Sequence, residues 1–117
     1  MRARLTRDAE RLVERHLDSA GLLDLLLLLR GRPDRAWTAG EICDELRCPP
    51  GWPGEQLRRL RAAGLAAREG DGHRYAPATP RLAAAVDSLA GTWRRDRARV
   101  TRLILAPRRR RVAPFGR

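Results

Sequence analysis

The chain has 117 residues, too few for two domains and enough for one domain with a small core. Hydrophobic residues make up 43% of it but aromatic residues only 4%, so the core must be built from leucine, alanine and valine, which favours a helical domain. The net charge is +11, but residues 1–93 hold 15 basic and 13 acidic residues, which argues against a broad phosphate-binding face on that part.

Several classes of protein are not expected from this sequence. The main apolar run, residues 22–29, is interrupted by Asp24 and is far shorter than the roughly 20 residues of a membrane span. The charged N-terminal segment has no signal-peptide core, so we expect a cytoplasmic protein without a membrane partner. The sequence shows no paired carboxylates, no nucleophile with a base and no glycine-rich phosphate loop. We therefore expect no catalytic residues, no cofactor and no enzyme activity.

The two cysteines do not form a metal-binding pattern. Cys43 and Cys48 lie five residues apart, with no second pair and no nearby histidine, so we expect no metal site. Cys43 falls on the apolar face of a predicted helix, where a core residue is the simpler interpretation and a redox sensor is the alternative. Cys48 lies in a predicted turn, where we expect it to be exposed.

The first two predicted helices differ in how much of their surface is apolar. The first covers residues 6–17 and is amphipathic. Its apolar stripe consists of Leu5, Ala9, Leu12, His16 and Leu17. For His16, packing is the simpler interpretation, and ligand binding or pH sensing is the alternative. Either Asp18 or Ser19 caps the second helix, whose seven leucines cover nearly its whole circumference, so we expect it at the centre of the core.

A capping box predicts the start of a third helix. In residues 38–41 the threonine hydroxyl can accept from a free amide of the first turn while the glutamate reaches back to the cap. Ile42, Cys43 and Leu46 then share one apolar face, and the two prolines that follow end the helix. Trp37 precedes the box and is expected on a short strand that pairs with a hairpin, where structural anchoring is favoured over ligand stacking.

A fourth helix and the hairpin follow. The helix should run from about Pro53, since proline is tolerated at a first helical position, to Ala63. Its apolar stripe ends at Gly64, which predicts a left-handed C-terminal cap. Residues 65–69 and 74–76 then read as two strands joined by a glycine-containing turn. Two helices about a tight turn, followed by a hairpin, is the helix-turn-helix plus wing.

Three segments of the sequence support a family resemblance. Residues 37–41, residues 57–65 and the pair Arg74-Tyr75 resemble small bacterial winged-helix proteins, broadly the MarR-like and ArsR-like transcriptional regulators. The resemblance covers residues 20–105 and is closest to a mostly uncharacterised group of such domains. It implies a mainly α winged helix with a small β-hairpin and a long C-terminal helix, to which the predicted N-terminal helix is an addition. It also implies DNA binding.

The fourth helix and the hairpin carry the candidate DNA contacts. With the apolar stripe inward, the outer face and flanks of the helix present Gln56, Arg58, Arg59 and Arg61. Arginine can bind guanine with two hydrogen bonds, and glutamine can bind adenine in the same way. In the hairpin, Arg68, His73 and Arg74 could reach the minor groove or phosphates, although acids alternate with them. The alternative is a solvated face without a partner.

The predicted C-terminal helix begins with a Thr79 cap and Pro80 and runs to about residue 105. Its apolar residues are spaced as a coiled-coil seam with Asp96 as one polar interruption. Such a long helix would overhang a small domain, so pairing with a second copy is favoured over folding back. We therefore expect a homodimer. Its predicted interface consists of Leu5, Leu12, Leu82, Val86, Leu89, Trp93, Val100 and Leu103.

The sequence divides into four parts, the last of which is basic. The parts are an N-terminal helix (1–18), a winged-helix core (19–79), a long C-terminal helix (80–106) and an arginine-rich tail (107–117). We expect the tail to be disordered. Its residues Arg108, Arg109, Arg110 and Arg111 could contact DNA, RNA or an acidic protein, or could only aid solubility. The favoured function is a dimeric DNA-binding transcriptional regulator, and the alternative is a protein-interaction module.

Overall fold

The computed structural model describes residues 5–106, in which six helices and one two-stranded antiparallel sheet follow in chain order. The elements are α1 (Arg7–His16), α2 (Ala20–Gly31), α3 (Ala39–Leu46), α4 (Trp52–Ala62), β1 (Ala66–Glu69), β2 (Gly72–Tyr75), α5 (Pro80–Arg95) and α6 (Arg97–Leu105). The predicted class, mainly helical with a small hairpin, is confirmed, and the arrangement is compatible with a winged helix. The predicted tail, with Arg108 to Arg111, lies outside the described residues.

Side-chain caps fix where most of the helices begin. The Ser19 hydroxyl accepts from the Leu22 amide at 3.1 Å, so Ser19 rather than Asp18 caps α2. At α3 both halves of the capping box form, because the Thr38 hydroxyl accepts from the Glu41 amide and the Glu41 carboxylate accepts from the Thr38 amide. The hydroxyls of Thr6 and Thr79 cap α1 and α5, since each accepts from a backbone amide of the first turn. The helix starts predicted from local sequence are therefore confirmed to within about one residue.

A glycine turn joins α4 to the hairpin. Gly64 has a φ of +78°, and the Leu65 amide donates to the Leu60 carbonyl at 2.9 Å, the pattern of a Schellman cap. In the hairpin, Ala66 pairs with Tyr75 and Glu69 with Gly72. This cap sets the direction in which the chain leaves α4, so the hairpin lies beside that helix.

Trp37 pairs with β2 through a single antiparallel bridge beside the two-stranded sheet. Its amide donates to the His73 carbonyl at 2.7 Å, and its carbonyl accepts from the His73 amide at 2.8 Å. Gly72 is needed at this crossing, since a Cβ atom there would stand 2.8 Å from the Trp37 carbonyl oxygen. The predicted pairing of Trp37 with the hairpin is confirmed.

The core is centred on α2, as predicted. Five of its leucines are completely buried: Leu22, Leu23, Leu25, Leu26 and Leu29. Helix α2 contacts α3, α4 and β2, and helix α1 packs against α5 and α6. An ion pair between Arg30 and Asp87, at 2.9 Å, links α2 to α5. No helix within residues 5–106 combines the length and apolarity needed to cross a membrane.

The prediction of one continuous helix over residues 80–106 is wrong, because the chain breaks at Asp96. This residue has φ −148° and ψ 74°, and its carboxylate accepts from the Arg99 amide at 3.1 Å. Asp96 thus caps the start of α6, which contacts both α5 and α1. Aspartate favours this capping position over a helix interior, where its side chain competes for backbone hydrogen bonds.

The predicted coiled-coil seam is also corrected, because its apolar residues face the core of the same chain. Val86, Leu89 and Val100 are completely buried, and Leu5 and Leu12 are 7% and 4% exposed. The other three predicted interface residues, which are Leu82, Trp93 and Leu103, are half-buried and pack against this core. Because α6 folds back onto α5 and α1, it covers the apolar surface that was predicted to pair with a second copy. The homodimer stays a prediction, without this stripe as its interface.

Candidate nucleic-acid interface

The outward face of α4 is held in place by two buried leucines. Leu57 and Leu60 are 3% and 1% exposed, and α4 contacts α2, α3 and β1. The opposite face therefore points away from the core. Arg58 is exposed there, while Gln56, Arg59 and Arg61 are half-buried on the flanks. We call these four residues, together with Arg68, His73 and Arg74 of the hairpin, the α4–hairpin surface.

Arg58 is paired with an acid of its own helix. Its Nε donates to Glu55 Oε1 at 3.0 Å, and its Nη2 donates to Glu55 Oε2 at 2.5 Å. These hydrogen bonds lower the pKa of Glu55 and raise the pKa of Arg58. Both side chains remain more than half exposed, so water and salt screen the pair.

Arg59 is paired across the fold rather than along the helix. Its Nη2 lies 2.9 Å from Asp18 Oδ1 in the connection between α1 and α2. Its Nη1 also donates to Gln56 Oε1 at 3.5 Å, a long hydrogen bond. The Asp18 carboxylate, which the sequence offered as a helix cap, thus neutralises one candidate DNA contact.

Arg61 connects α4 to the hairpin through His73. Arg61 Nη1 lies 2.6 Å from His73 Nε2, and since arginine can only donate, this imidazole nitrogen accepts. The pKa of His73 is lowered by partial burial and by the positive charges of Arg61 and Arg68. Both positive charges favour the neutral imidazole, and the contact with Arg61 joins helix and hairpin at this point.

The hairpin holds one paired and one solvent-facing arginine. Arg74 Nε donates to Glu69 Oε1 at 2.7 Å, which joins the two strands through an ion pair. Arg68 is exposed, and in the register of the sheet it lies opposite His73. The structure therefore brings the predicted helix and hairpin candidates together, but it pairs Arg58, Arg59 and Arg74 with carboxylates.

A second basic surface lies at the corner between α5 and α6, and the sequence interpretation did not single it out. It consists of five exposed arginines, which we call the elbow arginines: Arg94, Arg95, Arg97, Arg99 and Arg102. In the part of the chain that the structure describes, none of them takes part in a salt bridge. The carboxylate of Asp96 accepts from a backbone amide there, and the Arg97 guanidinium lies over the Trp93 ring at 4.8 Å. The excess of arginine after residue 93 was the signal that could have identified this surface.

His16 lies at an open cavity between α1 and α5. The cavity has a volume of about 200 Å³, and its charged or polar lining includes Asp8, Arg11, Arg15 and Arg81. Asp8 and Arg81 form an ion pair across it at 2.8 Å, which lowers the pKa of Asp8.

No cluster of three or more metal-ligating side chains occurs within residues 5–106. No match to the chain was found among protein-family models, curated proteins or solved structures.

Proposed function

We propose that this chain is a winged-helix protein that binds DNA as a transcriptional regulator and has no catalytic activity. The observation that carries the proposal is the contact between Arg61 and His73, which makes the outer face of α4 and the hairpin one continuous surface. The order of helix, turn, helix and hairpin, with Trp37 bridged to the hairpin, supports the same fold.

The chemistry of this surface suits duplex DNA. The outer face of α4 would enter the major groove, where Arg58 and Arg59 can donate to guanine and Gln56 can pair with adenine. Arg68 and Arg74 of the hairpin would contact phosphates or the minor groove beside it. The acid partners of Arg58 and Arg74 are mostly exposed, so these arginines can exchange a carboxylate for a phosphate at little cost.

A regulator of this kind usually reads two half-sites, so the proposal includes a homodimer in the cytoplasm. Two copies would place two α4 helices in successive major grooves. Their interface would lie outside the apolar stripe that α1, α5 and α6 bury together. Sedimentation at micromolar concentration tests this part, and a monomer both free and on DNA would exclude it.

The alternative function is a protein-interaction module, and one specific observation favours it. Glu55, Asp18 and Glu69 neutralise three arginines of the α4–hairpin surface. A surface whose arginines are neutralised by acids lacks the excess positive charge of a phosphate-binding face. In this alternative the arginine-rich end of the chain would bind an acidic protein or RNA.

A salt-dependent titration separates the two functions. Fluorescence anisotropy on genomic DNA fragments, at two salt concentrations, would compare wild type with an Arg58→Ala/Arg59→Ala variant and with a chain lacking residues 107–117. If α4 reads bases, the double variant loses roughly tenfold or more of its preference between fragments. The truncated chain should instead lose affinity for all fragments alike.

The matched control replaces two exposed arginines of α1 that do not belong to the α4–hairpin surface. An Arg11→Ala/Arg15→Ala variant has the same change in charge on α1, and it should leave the preference between fragments unchanged. Binding that shows no preferred fragment, and that is unaffected by Arg58 and Arg59, would reject the sequence-specific regulator. The interaction module would then be the better explanation.

A further inference from the structure

The turn between α3 and α4 brings together the two cysteines of the chain. Cys43 Sγ and Cys48 Sγ lie 3.6 Å apart, in direct contact, and the Cys48 thiol donates to Cys43. Both residues are half-buried, so neither the fully buried position expected for Cys43 nor the exposed one expected for Cys48 is found. The chain has no other cysteine, so any disulfide formed within it must join these two residues.

The backbone of the turn sets this proximity. Arg47 has the left-handed conformation (φ 56°, ψ 47°), and the Cys48 amide donates to the Cys43 carbonyl at 3.3 Å. This is the same cap that ends α4, where the corresponding side chains are Leu60 and Leu65. The two side chains that flank such a cap normally make a hydrophobic contact. At the end of α3 that contact is made by two thiols.

The two thiols have different surroundings. The Cys43 thiol donates to the Pro49 carbonyl at 3.4 Å, and desolvation together with the neighbouring Cys48 raises its pKa. Cys48 lines an open cavity of about 270 Å³, together with Arg47, Trp52 and other residues. Cys48 is therefore a thiol that a small oxidant can reach from this cavity, and Cys43 Sγ is in contact with it.

We propose that Cys43 and Cys48 form a peroxide-sensitive dithiol that closes to a disulfide within the chain. The Cys48 thiolate attacks an oxygen of hydrogen peroxide, the O–O bond breaks, hydroxide leaves and Cys48 becomes a sulfenic acid. The Cys43 sulfur then attacks Cys48 Sγ, and the S–O bond breaks. The departing oxygen takes up the Cys43 proton and leaves as water. In total the two thiols lose two hydrogen atoms, and one peroxide becomes two waters.

The disulfide would fix a turn that is otherwise costly to hold. Arg47 is the one non-glycine residue with positive φ within residues 5–106, and this conformation is unfavourable for a side chain with a Cβ atom. A covalent bond from α3 to the residue after Arg47 excludes other conformations of the turn that leads into α4. This inference does not depend on DNA binding, since the dithiol would react in the same way in either proposed function.

Peptide mapping tests the proposal on the unaltered protein. Reduced protein is treated with hydrogen peroxide, its free thiols are alkylated, and trypsin then cleaves after Arg47, between the two cysteines. We expect residues 36–47 and 48–58 to stay linked, with the pair lighter by two hydrogen atoms, and to separate after dithiothreitol. We also expect the thermal midpoint of the oxidised protein to rise by about 5 °C.

Two single variants act as matched controls. In Cys43→Ser, the Cys48 sulfenic acid has no partner thiol in the chain, so we expect further oxidation of Cys48 to sulfinic acid. In Cys48→Ser, we expect Cys43 to react at least tenfold more slowly than Cys48 does in the first variant. Peptides that remain separate and carry added oxygen in the wild type would overturn the proposal. So would disulfides that form only between chains.

Discussion

The α4–hairpin surface and the elbow arginines carry similar numbers of arginines but differ in what those arginines contact. On the α4–hairpin surface, Arg58, Arg59 and Arg74 each bind a carboxylate within 3 Å. At the elbow, none of the five arginines is in a salt bridge within the described part of the chain, and the nearby Asp96 caps a helix. The surface chosen from the sequence is therefore the more neutral of the two.

This difference shows that the number of arginines in a sequence does not give the positive charge that a binding partner can use. An arginine contributes to DNA affinity by releasing counterions from phosphate, and one already bound to a carboxylate must first give up that partner. Within residues 5–106 the elbow arginines form no salt bridge that would have to break first, although Asp24 lies within the electrostatic reach of Arg97. If the chain binds DNA, we expect the elbow to supply attraction for any sequence and the α4–hairpin surface to supply preference among sequences.

The largest expected effect comes from removing the elbow charges. A variant with glutamine at the five elbow positions should bind every DNA fragment about a hundredfold more weakly at moderate salt. Its plot of log affinity against log salt should be shallower by about 0.9 for each phosphate that the variant no longer neutralises. Anisotropy titrations over a range of salt concentrations measure both quantities.

The control for the elbow variant changes the net charge equally at other places. Five other exposed arginines suit this purpose: Arg7, Arg11, Arg15, Arg32 and Arg47. Replacing them with glutamine should weaken binding much less, because most of them have acids beside them in sequence. Equal losses in the two variants would show that total charge, rather than the elbow, governs affinity.

The next prediction tests whether the paired carboxylates reduce the DNA affinity of the α4–hairpin surface. A Glu55→Gln/Asp18→Asn/Glu69→Gln variant leaves its arginines in place and removes their partners. We expect DNA affinity to rise about tenfold, because three arginines become available to phosphate and three repulsive charges are removed. An Asp34→Asn/Asp44→Asn/Glu45→Gln variant, with changes outside α4 and the hairpin, is the control of equal charge. An unchanged affinity in the first variant would place this surface away from DNA and favour the protein-interaction module.

Local sequence signals predicted much of the fold, because each rests on a few neighbouring residues. The capping box at Thr38 and the glycine cap at Gly64 both form as expected. The leucine-rich second helix lies at the centre of the core, since an apolar surface on all sides can only be buried. In each case the local sequence was compatible with only one structure.

The errors occurred where a local sequence pattern was compatible with two different structures. Asp96 fits a polar position in a coiled-coil seam and equally fits a helix cap, and only the packing of α6 on α1 and α5 decides between them. The ion pair of Arg59 with Asp18 depends on how separate segments pack against each other. The contact between Cys43 and Cys48 depends on the left-handed conformation of Arg47, which is not predicted where the residue is not a glycine. Sequence spacing alone does not contain this information.

The geometry of the elbow itself can be tested through its cap. Asp96→Ala removes the acceptor for the Arg99 amide and also favours a continuous helix. We expect the free energy of unfolding to fall by about 1 kcal/mol, measured by urea denaturation. The exposed Asp34, in the loop before Trp37, gives a control, and Asp34→Ala should change stability little. Higher stability with more helical circular dichroism would mean that the elbow is not held by its cap.

The smallest expected effect is a dependence of stability on pH, which depends on the electrostatic field at His73 in the hairpin. The pKa of His73 is lowered by partial burial and by the charges of Arg61 and Arg68, so the unfolded chain binds a proton more readily than the folded one. Below the ordinary imidazole pKa of about 6.5, acidification therefore favours unfolding, and above it the contribution of His73 to stability no longer changes. Because water reaches this side chain and screens the two charges, the loss of stability should be small.

A His73→Gln variant isolates this contribution. Its urea midpoint should change less than that of the wild type between pH 7.5 and pH 5, and the difference between the two proteins is the contribution of His73. Arg68→Gln should reduce the same difference, because it removes one of the two positive charges that lower the pKa of His73. If acidification instead stabilised the wild type relative to His73→Gln, the net field at the hairpin would be negative. The carboxylates would then outweigh the arginines on the α4–hairpin surface, and its contrast with the elbow would be larger than their ion pairs alone indicate.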